Sequence, residues 1–160
     1  MRWIKADDAD VMLAIWNDPA FISYAGDRGV RSIEQARAVI QDSIVPLYAT
    51  HGHGPYCVIR KADMKRIGIC GLFHRDQLEH PDIGFAVLPE FSGAGFAWEA
   101  ARGVVEHARL NLGIRTLNAI VSPRNIASIG LIEKLGFALV GGITMPGETE
   151  EVRLYSMDLV

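Results

Sequence analysis

Apolar residues recur with two different spacings along the chain, and the change of spacing near residue 50 separates helical from extended segments. Before that point, apolar side chains return every three or four positions, which is typical of amphipathic helices. The pattern predicts one helix from Asp7 to Trp16 and another that begins at the capping box of Ser32 and Gln35 and continues to residue 44. The first third of the chain is therefore predicted to be largely helical.

After residue 50, short apolar runs bounded by turn residues predict β-strands. The runs lie at residues 56–60, 66–73, 83–88, 116–121, 137–145 and 151–159, and an alternating stretch at residues 2–5 adds an edge strand. Two further helices are predicted between the later strands, at residues 97–108 and 125–135. This order predicts a single domain over residues 1–160 with an α/β (α+β) fold, in which helices cover both faces of one mixed sheet.

The composition fits a globular domain and excludes several classes of function. The chain has 160 residues, 49% of them hydrophobic, and a formal net charge of −3. A nucleic-acid-binding protein needs a basic surface, so we expect no nucleic-acid partner. The apolar runs are too short for a membrane span and the first residues form no signal peptide, so we expect no membrane association. Cys57 and Cys70 lie in strand-like runs and are expected to be buried reduced thiols, which favours a cytoplasmic location.

The most informative stretch runs from residue 88 to 106, where a strand is followed by a glycine-bearing loop and then by a helix. The loop residues are Ser92, Gly93, Ala94, Gly95, Phe96 and Ala97. The first N–H groups of a helix have no acceptor within it and attract anions, so this arrangement suits a phosphate or pyrophosphate. The alternative is a tight turn in which glycine only serves the backbone. The spacing matches neither the Walker loop nor the dinucleotide fingerprint.

Two separated stretches resemble the GNAT superfamily of N-acetyltransferases. One runs from Asp82 to Ala97, and the other from Asn125 to Phe137. Within that superfamily, the chain resembles the branch of ribosomal-protein N-terminal acetyltransferases, to which the opening helix and the Trp16-Asn17-Asp18-Pro19 sequence are also similar. The resemblance implies a mostly antiparallel central sheet of six to seven strands, flanked by about four helices, with a splayed pair of central strands. It also implies that acetyl-CoA is the cofactor.

The resemblance assigns coenzyme A to the glycine-bearing loop and to the strand before it. Relatives carry Gln/Arg-x-x-Gly-x-Gly/Ala at this loop, and their backbone amides hold the pyrophosphate. Ser92 replaces the usual long side chain here, whereas Gly95 and Ala97 match. The implied coenzyme A contacts are Phe85, Ala86, Val87, Leu88, Ser92, Gly93, Ala94, Gly95, Phe96, Ala97, Asn125 and Ser128.

Three catalytic tasks follow from the implied chemistry, in which an amine attacks the acetyl thioester directly. The N–H of Ala86 would polarise the carbonyl, because the matching strand residue does so in relatives. Asp82, at the start of that strand, is the candidate base, either directly or through a water molecule; the alternative is a solvated loop acid. Ser128 would stabilise the departing thiolate, since Ile132 stands where much of the superfamily has a tyrosine. Asn125 would orient the cofactor, or would only cap its helix.

Three aromatic residues near the N-terminus are candidates for acceptor binding. Trp16, Phe21 and Tyr24 fall where relatives form the acceptor groove, although such residues are more often part of a core. The histidines at positions 51, 53 and 74 match no zinc spacing, so we expect no metal site.

The sequence thus predicts a cytoplasmic N-acetyltransferase that transfers acetyl from acetyl-CoA to a primary amine in a ternary complex. The acceptor is a protein N-terminal amine or a small-molecule amine, and the protein is a monomer or a homodimer. Glu148, Glu150 and Glu151 near the last turn would suit a cationic acceptor, or form only a soluble acidic surface. The alternative function is an acyl-CoA-binding regulatory protein without turnover, which the presence of Ser92 and Ile132 keeps open.

Overall fold

One seven-stranded sheet runs through the computed structural model, which describes residues 1–160. Its strands are β1 (Arg2–Trp3), β2 (Pro55–Ile59), β3 (Arg66–Phe73), β4 (Asp82–Val87), β5 (Thr116–Val121), β6 (Ala138–Thr144) and β7 (Glu151–Asp158). They lie in the order β1-β2-β3-β4-β5-β7-β6, and every neighbouring pair is antiparallel except β4 and β5. The predicted mixed and mostly antiparallel α/β sheet is confirmed.

Six α-helices accompany the sheet: α1 (Ala9–Trp16), α2 (Pro19–Ala25), α3 (Ile33–Val39), α4 (Val45–His51), α5 (Phe96–Leu110) and α6 (Ile126–Leu135). A π-helical turn, Ile40–Ile44, joins α3 to α4, so these two form one continuous helical segment. The sequence pattern predicted an end at residue 44, but the chain stays helical to His51. Pro46, which has no N–H to donate, comes just after the π-helical turn, where the hydrogen-bond pattern of the helix changes. None of the helices combines the length and the hydrophobicity that a membrane span requires.

The first α-helix begins later than predicted, because Asp8 rather than Asp7 organises its start. Residues 6–8 form a short 3-10 turn, and α1 follows from Ala9. The fully buried Asp8 carboxylate accepts hydrogen bonds from the Arg2 guanidinium at 2.7 and 2.8 Å and from the Lys5 N–H at 2.9 Å. Arg66 of β3 approaches it to 3.3 Å. One buried charge therefore links β1, α1 and β3.

Two hydrophobic clusters form the core, one on each face of the sheet. Side chains of a strand alternate between faces, and in β2 Tyr56 and Val58 join one cluster while Cys57 and Ile59 contact the other. The first cluster contains the apolar faces of α5 and α6, and the second contains those of α1 and α3. The small residues Ala101 and Ala108 of α5 are fully buried, which lets this helix lie close to β3 and β4.

The two central strands, β4 and β5, separate soon after they meet. Their register contains one pair, Asp82 with Asn118, and the Asn118 N–H donates to the Pro81 carbonyl at 2.9 Å. Beyond this point β4 continues beside β3 alone. The splayed central pair implied by the family resemblance is confirmed, and it opens the sheet between β4 and β5.

Candidate active site

Two contiguous cavities meet beside β4 where it leaves β5. The inner cavity, of about 320 Å³, extends from β4 toward α1 and the α3–α4 segment and includes Trp16 and Asp82 in its lining. The outer groove, of about 500 Å³, follows the start of α5 and includes Gly93 and Gly95. The two share seven lining residues: Phe21, Tyr24, Ala25, Phe85, Ala86, Asn125 and Ser128. Two ligands, one in each cavity, would therefore contact each other at this junction.

The outer groove carries a row of main-chain donors that have no acceptor in the protein. The N–H groups from Gly93 through Trp98 make no hydrogen bond, and the first bonded one at the start of α5 is that of Glu99, which donates to the Gly95 carbonyl at 3.0 Å. Gly95 is the N-cap of α5 with φ +86°, Gly93 has φ +77°, and no side chain caps the helix. Consecutive free N–H groups at a helix start form an anion site. The loop therefore fits the pyrophosphate of coenzyme A.

Most of the loop residues predicted to contact coenzyme A line this groove. They are Ser92, Gly93, Gly95, Phe96 and Ala97, whereas Ala94 is not part of the lining. A Cβ atom at Gly93 or Gly95 would meet no atom within 4 Å, so both glycines are required for their left-handed backbone rather than for space.

The register of β3 and β4 bears on two of the predictions made for the strand. The Leu88 N–H donates to the Ile67 carbonyl at 2.8 Å, and β4 continues in alternation with Ala86 opposite Ile69. The N–H of Ala86 therefore points toward β3, and the prediction that it polarises the acetyl carbonyl is wrong. Leu88 lies outside both cavities and its N–H is already bonded, so it has no free main-chain donor for coenzyme A, and its predicted contact stays a prediction.

The free main-chain groups of β4 belong to the residues on either side of Ala86. Alternation turns the N–H and carbonyl groups of Phe85 and Val87 away from β3 and toward the gap left by β5. Both residues line the outer groove, and Phe85 also lines the inner cavity. The gap therefore exposes two strand donors at the junction of the cavities.

Asp82 lines the inner cavity and is almost completely buried, with 1% of its surface exposed. The Nε of Arg75 donates to both carboxylate oxygens, at 3.0 and 3.1 Å. Burial raises the pKa of Asp82 above its ordinary value, although the Arg75 charge opposes the increase. The alternative of a solvated loop acid is therefore wrong, and the carboxyl group has the perturbed pKa typical of a functional site.

The start of α6 contributes Asn125 and Ser128 to both cavities. The Asn125 side chain accepts a hydrogen bond from the Ser128 N–H at 3.2 Å, so it caps the helix in addition to lining the cavities. The Ser128 hydroxyl makes no hydrogen bond within the protein and is free for a ligand. Ile132, two turns after Asn125, is buried and lines the inner cavity only.

The three aromatic residues predicted for the acceptor all line the inner cavity. Trp16 is buried, whereas Phe21 is partly exposed and Tyr24 is exposed at 40%. Phe21 and Tyr24 lie on α2 at the junction of the two cavities. By contrast, the His51 and His74 rings stack on each other at 3.7 Å, with His53 beside them, outside both cavities.

The sequence pattern did not identify two charged residues of the inner cavity. Arg75 follows the end of β3 in a polar loop, and Arg28 lies in the loop after α2. An arginine in a polar loop looks like a surface residue, and no spacing links it to a carboxylate seven positions later. Only the folded chain shows that both guanidinium groups face the cavity.

Comparison with known proteins identifies the family. The model of the acetyltransferase (GNAT) domain matches residues 1–138. The chain belongs to the GNAT acetyltransferase family. This GNAT chain is also 32% identical over 143 residues to the uncharacterized N-acetyltransferase YoaA of Bacillus subtilis (strain 168), a match that covers 88% of the chain and 80% of YoaA. It is an acetyl-CoA-dependent N-acetyltransferase.

Solved structures of the same fold span nearly the whole chain. Spermidine N-acetyltransferase from Vibrio cholerae, in complex with CoA and spermine, superposes with a TM-score of 0.81 at 16% identity and covers 99% of this GNAT chain and 94% of its own. Ribosomal-protein-S5-alanine acetyltransferase from Vibrio fischeri superposes with a TM-score of 0.76 at 22% identity, covering 98% of this chain and 91% of its own. At these identities the likeness concerns the fold.

Proposed function

We propose that this GNAT enzyme transfers the acetyl group of acetyl-CoA to a primary amine by direct attack while both substrates are bound. The observation that supports the proposal is the junction of two cavities at the splayed strands, with Phe85, Asn125 and Ser128 in the lining of both. The outer groove has the free N–H groups that a pyrophosphate requires, and the inner cavity holds a buried carboxyl group. An amine and a thioester placed in the two spaces would meet at β4.

The main chain of the outer groove would hold the coenzyme. The N–H groups from Gly93 to Trp98 would donate to the pyrophosphate oxygens. The N–H and carbonyl groups of Phe85 and Val87 would pair with the pantetheine amides as an added strand does, and one of these N–H groups would polarise the acetyl carbonyl. The missing long side chain at Ser92 leaves this main-chain cradle intact.

Two side chains would carry the proton and the leaving group. Asp82 would accept a proton from the acceptor ammonium, directly or through a water molecule, because it faces the inner cavity and burial raises its pKa above the ordinary value. Ser128 would donate its free hydroxyl to the departing thiolate, a task that Ile132 cannot perform. Trp16, Phe21 and Tyr24 would surround the acceptor.

The proposed acceptor is a protein N-terminal amine or a small-molecule amine; proteins with the same fold are named for spermidine and for an alanine of ribosomal protein S5. A cytoplasmic location forms part of the proposal. It is supported by Cys57 and Cys70, two buried thiols that form no disulfide. We also expect a monomer or a homodimer.

Release of the free thiol of coenzyme A tests this function directly. The purified protein would be mixed with acetyl-CoA and a panel of amino acids, polyamines, aminoglycosides and N-terminal peptides, while calorimetry measures coenzyme A binding. We expect at least one amine to increase thiol release above hydrolysis in proportion to enzyme concentration. Coenzyme A binding with no active amine in the panel would support the non-catalytic regulatory alternative instead.

A further inference from the structure

The charges of the inner cavity are not balanced. Among all its lining residues, three are charged: Arg28, Arg75 and Asp82. Arg75 and Asp82 form an ion pair, since both oxygens of the carboxylate accept from the Arg75 Nε. The second guanidinium, that of Arg28, therefore leaves one positive charge in the cavity without a counterion.

Arg28 has no acidic partner elsewhere in the protein. It makes no salt bridge and no hydrogen bond, and its guanidinium lies over the Phe21 ring at 5.8 Å from the centroid. The neighbouring Asp27 is paired with Arg31, and Glu150 is paired with Arg124 at 3.4 Å. Arg28 as a whole residue is exposed to solvent, and partial burial of its guanidinium, followed by the nearby charge of Arg75, lowers its pKa from the ordinary value. An arginine remains protonated even so.

The acidic residues near the last turn do not neutralise this charge. Glu148, which comes nearest to the loop, has a carboxylate oxygen 3.9 Å from the place where a Cβ on Gly26 would stand. Neither Glu148, Glu150 nor Glu151 lines the inner cavity. These glutamates could therefore attract a cationic acceptor only outside the inner cavity. The cavity itself has an excess of positive charge.

From this imbalance we propose that the acceptor amine carries an anionic group, a carboxylate, which binds to Arg28. The inference rests on the proposed function of the inner cavity as the acceptor site. A guanidinium binds a carboxylate through two parallel hydrogen bonds, and the pair gains strength where water is partly excluded. The acceptor's ammonium would face Asp82, and its carboxylate would face Arg28. The substrate class is thus a free amino acid or a close analogue.

The size and the walls of the cavity narrow the class further. A volume of about 320 Å³ is at the lower end of the range for small-molecule sites, which is about 300–1000 Å³. Sixteen of its 25 lining residues are hydrophobic. These properties favour an amino acid with an apolar side chain. A polyamine would bring several positive charges next to the unpaired guanidinium of Arg28, and like charges repel.

The transfer itself balances in this arrangement. The amine nitrogen forms a bond to the acetyl carbon, and the carbon–sulfur bond of the thioester breaks. Asp82 takes one proton from the ammonium before attack, the nitrogen loses another after it, one of these protons reaches the departing thiolate, and the other passes to solvent. The products are an N-acetyl amino acid and coenzyme A, so the reaction neutralises the amine and leaves the carboxylate on Arg28.

The test compares amino acids with their amides, which lack only the negative charge. Rates of thiol release would be measured for leucine, methionine and phenylalanine, for their carboxamides and for spermidine, with the wild type, Arg28→Gln and Arg37→Gln. Arg37 is exposed on α3, forms no salt bridge and lies outside both cavities, so its variant controls for loss of one positive charge. Calorimetry of the N-acetyl amino acids and their amides with the coenzyme A-loaded protein gives a second readout that needs no turnover.

We expect kcat/KM to be at least tenfold higher for an amino acid than for its amide. Arg28→Gln should remove most of the preference for amino acids over their amides by raising KM for the amino acids, with little change in rates for the amides. Arg37→Gln should leave the preference unchanged. Equal use of acids and amides, a preference for spermidine, or an equal effect of Arg28→Gln on both series would overturn the inference while leaving the proposed acetyltransferase function intact. If no amine releases thiol, the proposed function fails. The calorimetric preference for the carboxylate, or its absence, then still decides the role of Arg28.

Discussion

At the scale of single residues, the chemistry depends on a few polar groups whose surroundings are apolar. Asp82 is surrounded by buried residues and held by one guanidinium, so its proton affinity differs from that of a surface carboxylate. The Ser128 hydroxyl and the Arg28 guanidinium face the cavities without a partner in the protein. Buried or enclosed polar groups that the fold does not use are the ones that a substrate can use.

Replacing Asp82 with asparagine should reduce turnover far more than coenzyme A affinity. A positioned general base contributes roughly a hundredfold or more to the rate, so we expect kcat to fall by about that factor at neutral pH. Because the carboxylate must be ionised to accept a proton and burial raises its pKa, wild-type activity should decrease as the pH falls, with a midpoint above the ordinary value of 3.8. The loss in Asp82→Asn should shrink at high pH, where the amine is already neutral.

The neighbouring loop offers a matched control for this measurement. Asp76 is exposed and forms no ion pair, so Asp76→Asn changes the same charge outside the cavity and should retain wild-type kinetics. An Asp82→Asn variant with unchanged kcat at neutral pH would exclude the carboxylate as the base.

Ser128→Ala tests the stabilisation of the leaving thiolate. A hydrogen bond to a developing charge contributes about 1.5–3 kcal/mol, so we expect kcat to fall by roughly ten- to a hundredfold. The dissociation constant of coenzyme A should remain near that of the wild type, because the main chain supplies most contacts. Stopped-flow or steady-state thiol release measures the first quantity and calorimetry the second. A weaker coenzyme A complex with normal kcat would assign Ser128 to binding alone.

At the scale of elements, the site depends on how β4 and α5 present their backbone. β4 loses its pairing with β5 after Asp82, which exposes the N–H groups of Phe85 and Val87. α5 starts from a glycine with no side-chain cap. Neither feature involves a distinctive side chain. Substitutions in these elements should therefore act through backbone conformation and through steric access.

Gly95→Glu tests the anion site at the start of α5. The new carboxylate would stand among the free N–H groups and repel a pyrophosphate, so we expect coenzyme A binding to weaken more than a hundredfold by calorimetry. Gly113→Glu is the matched control, because Gly113 also has a positive φ, of +64°, and open space around it, but lies beyond the other end of α5. Both variants should lose similar stability. Unchanged coenzyme A affinity in Gly95→Glu would place the pyrophosphate elsewhere.

At the scale of the whole molecule, the order and type of most elements could be predicted from the spacing of apolar residues. The hairpin β2–β3, the strand-loop-helix β4–α5 and the helix α6 with Gly136 after it all fall where the pattern indicates. Short α2 and the extension of the helical segment through Pro46 were missed, since tertiary packing rather than local pattern stabilises them.

Part of the candidate site could be predicted from the sequence, and the physical reason why the rest could not differs from residue to residue. The glycine-bearing loop has a sequence signature, so its position could be predicted. The direction of the Ala86 N–H depends on the partner strand, and nothing in residues 82–88 reveals which neighbour each residue faces. Arg28 and Arg75 reach the cavity from loops, where side-chain direction follows no period.

The buried cluster around Asp8 predicts how the whole fold responds to acid. Burial by itself would raise the pKa of Asp8, but hydrogen bonds from Arg2 and from the Lys5 N–H outweigh it and hold the pKa below the ordinary 3.8. A carboxyl group with a lowered folded-state pKa stabilises the protein above its unfolded-state pKa and loses this effect as the pH falls through the folded-state value. The contribution of Asp8 should therefore be complete at neutral pH and decline below about pH 4.

Asp8→Asn should reduce the free energy of unfolding by about 2 kcal/mol at pH 7, because it removes charge-assisted hydrogen bonds to a buried carboxylate, while Arg2 and Arg66 are each about a third exposed and can be solvated. Asp10→Asn is the control: its carboxylate also binds Arg66, at 2.8 Å, but is exposed, so its loss should cost less than about 1 kcal/mol. Urea unfolding at several pH values measures both. Equal stability changes in the two variants would contradict the account of Asp8, as would acid sensitivity in Asp8→Asn equal to that of the wild type.

A crystal structure with coenzyme A and an amino acid would test the central claim most directly, because it locates both ligands relative to the splayed strands. The account predicts pyrophosphate oxygens within hydrogen-bond distance of N–H groups between Gly93 and Trp98, pantetheine beside Phe85 and Val87, and the amine in the inner cavity near Asp82. Coenzyme A bound away from the start of α5, or an inner cavity that the amine does not enter, would contradict it.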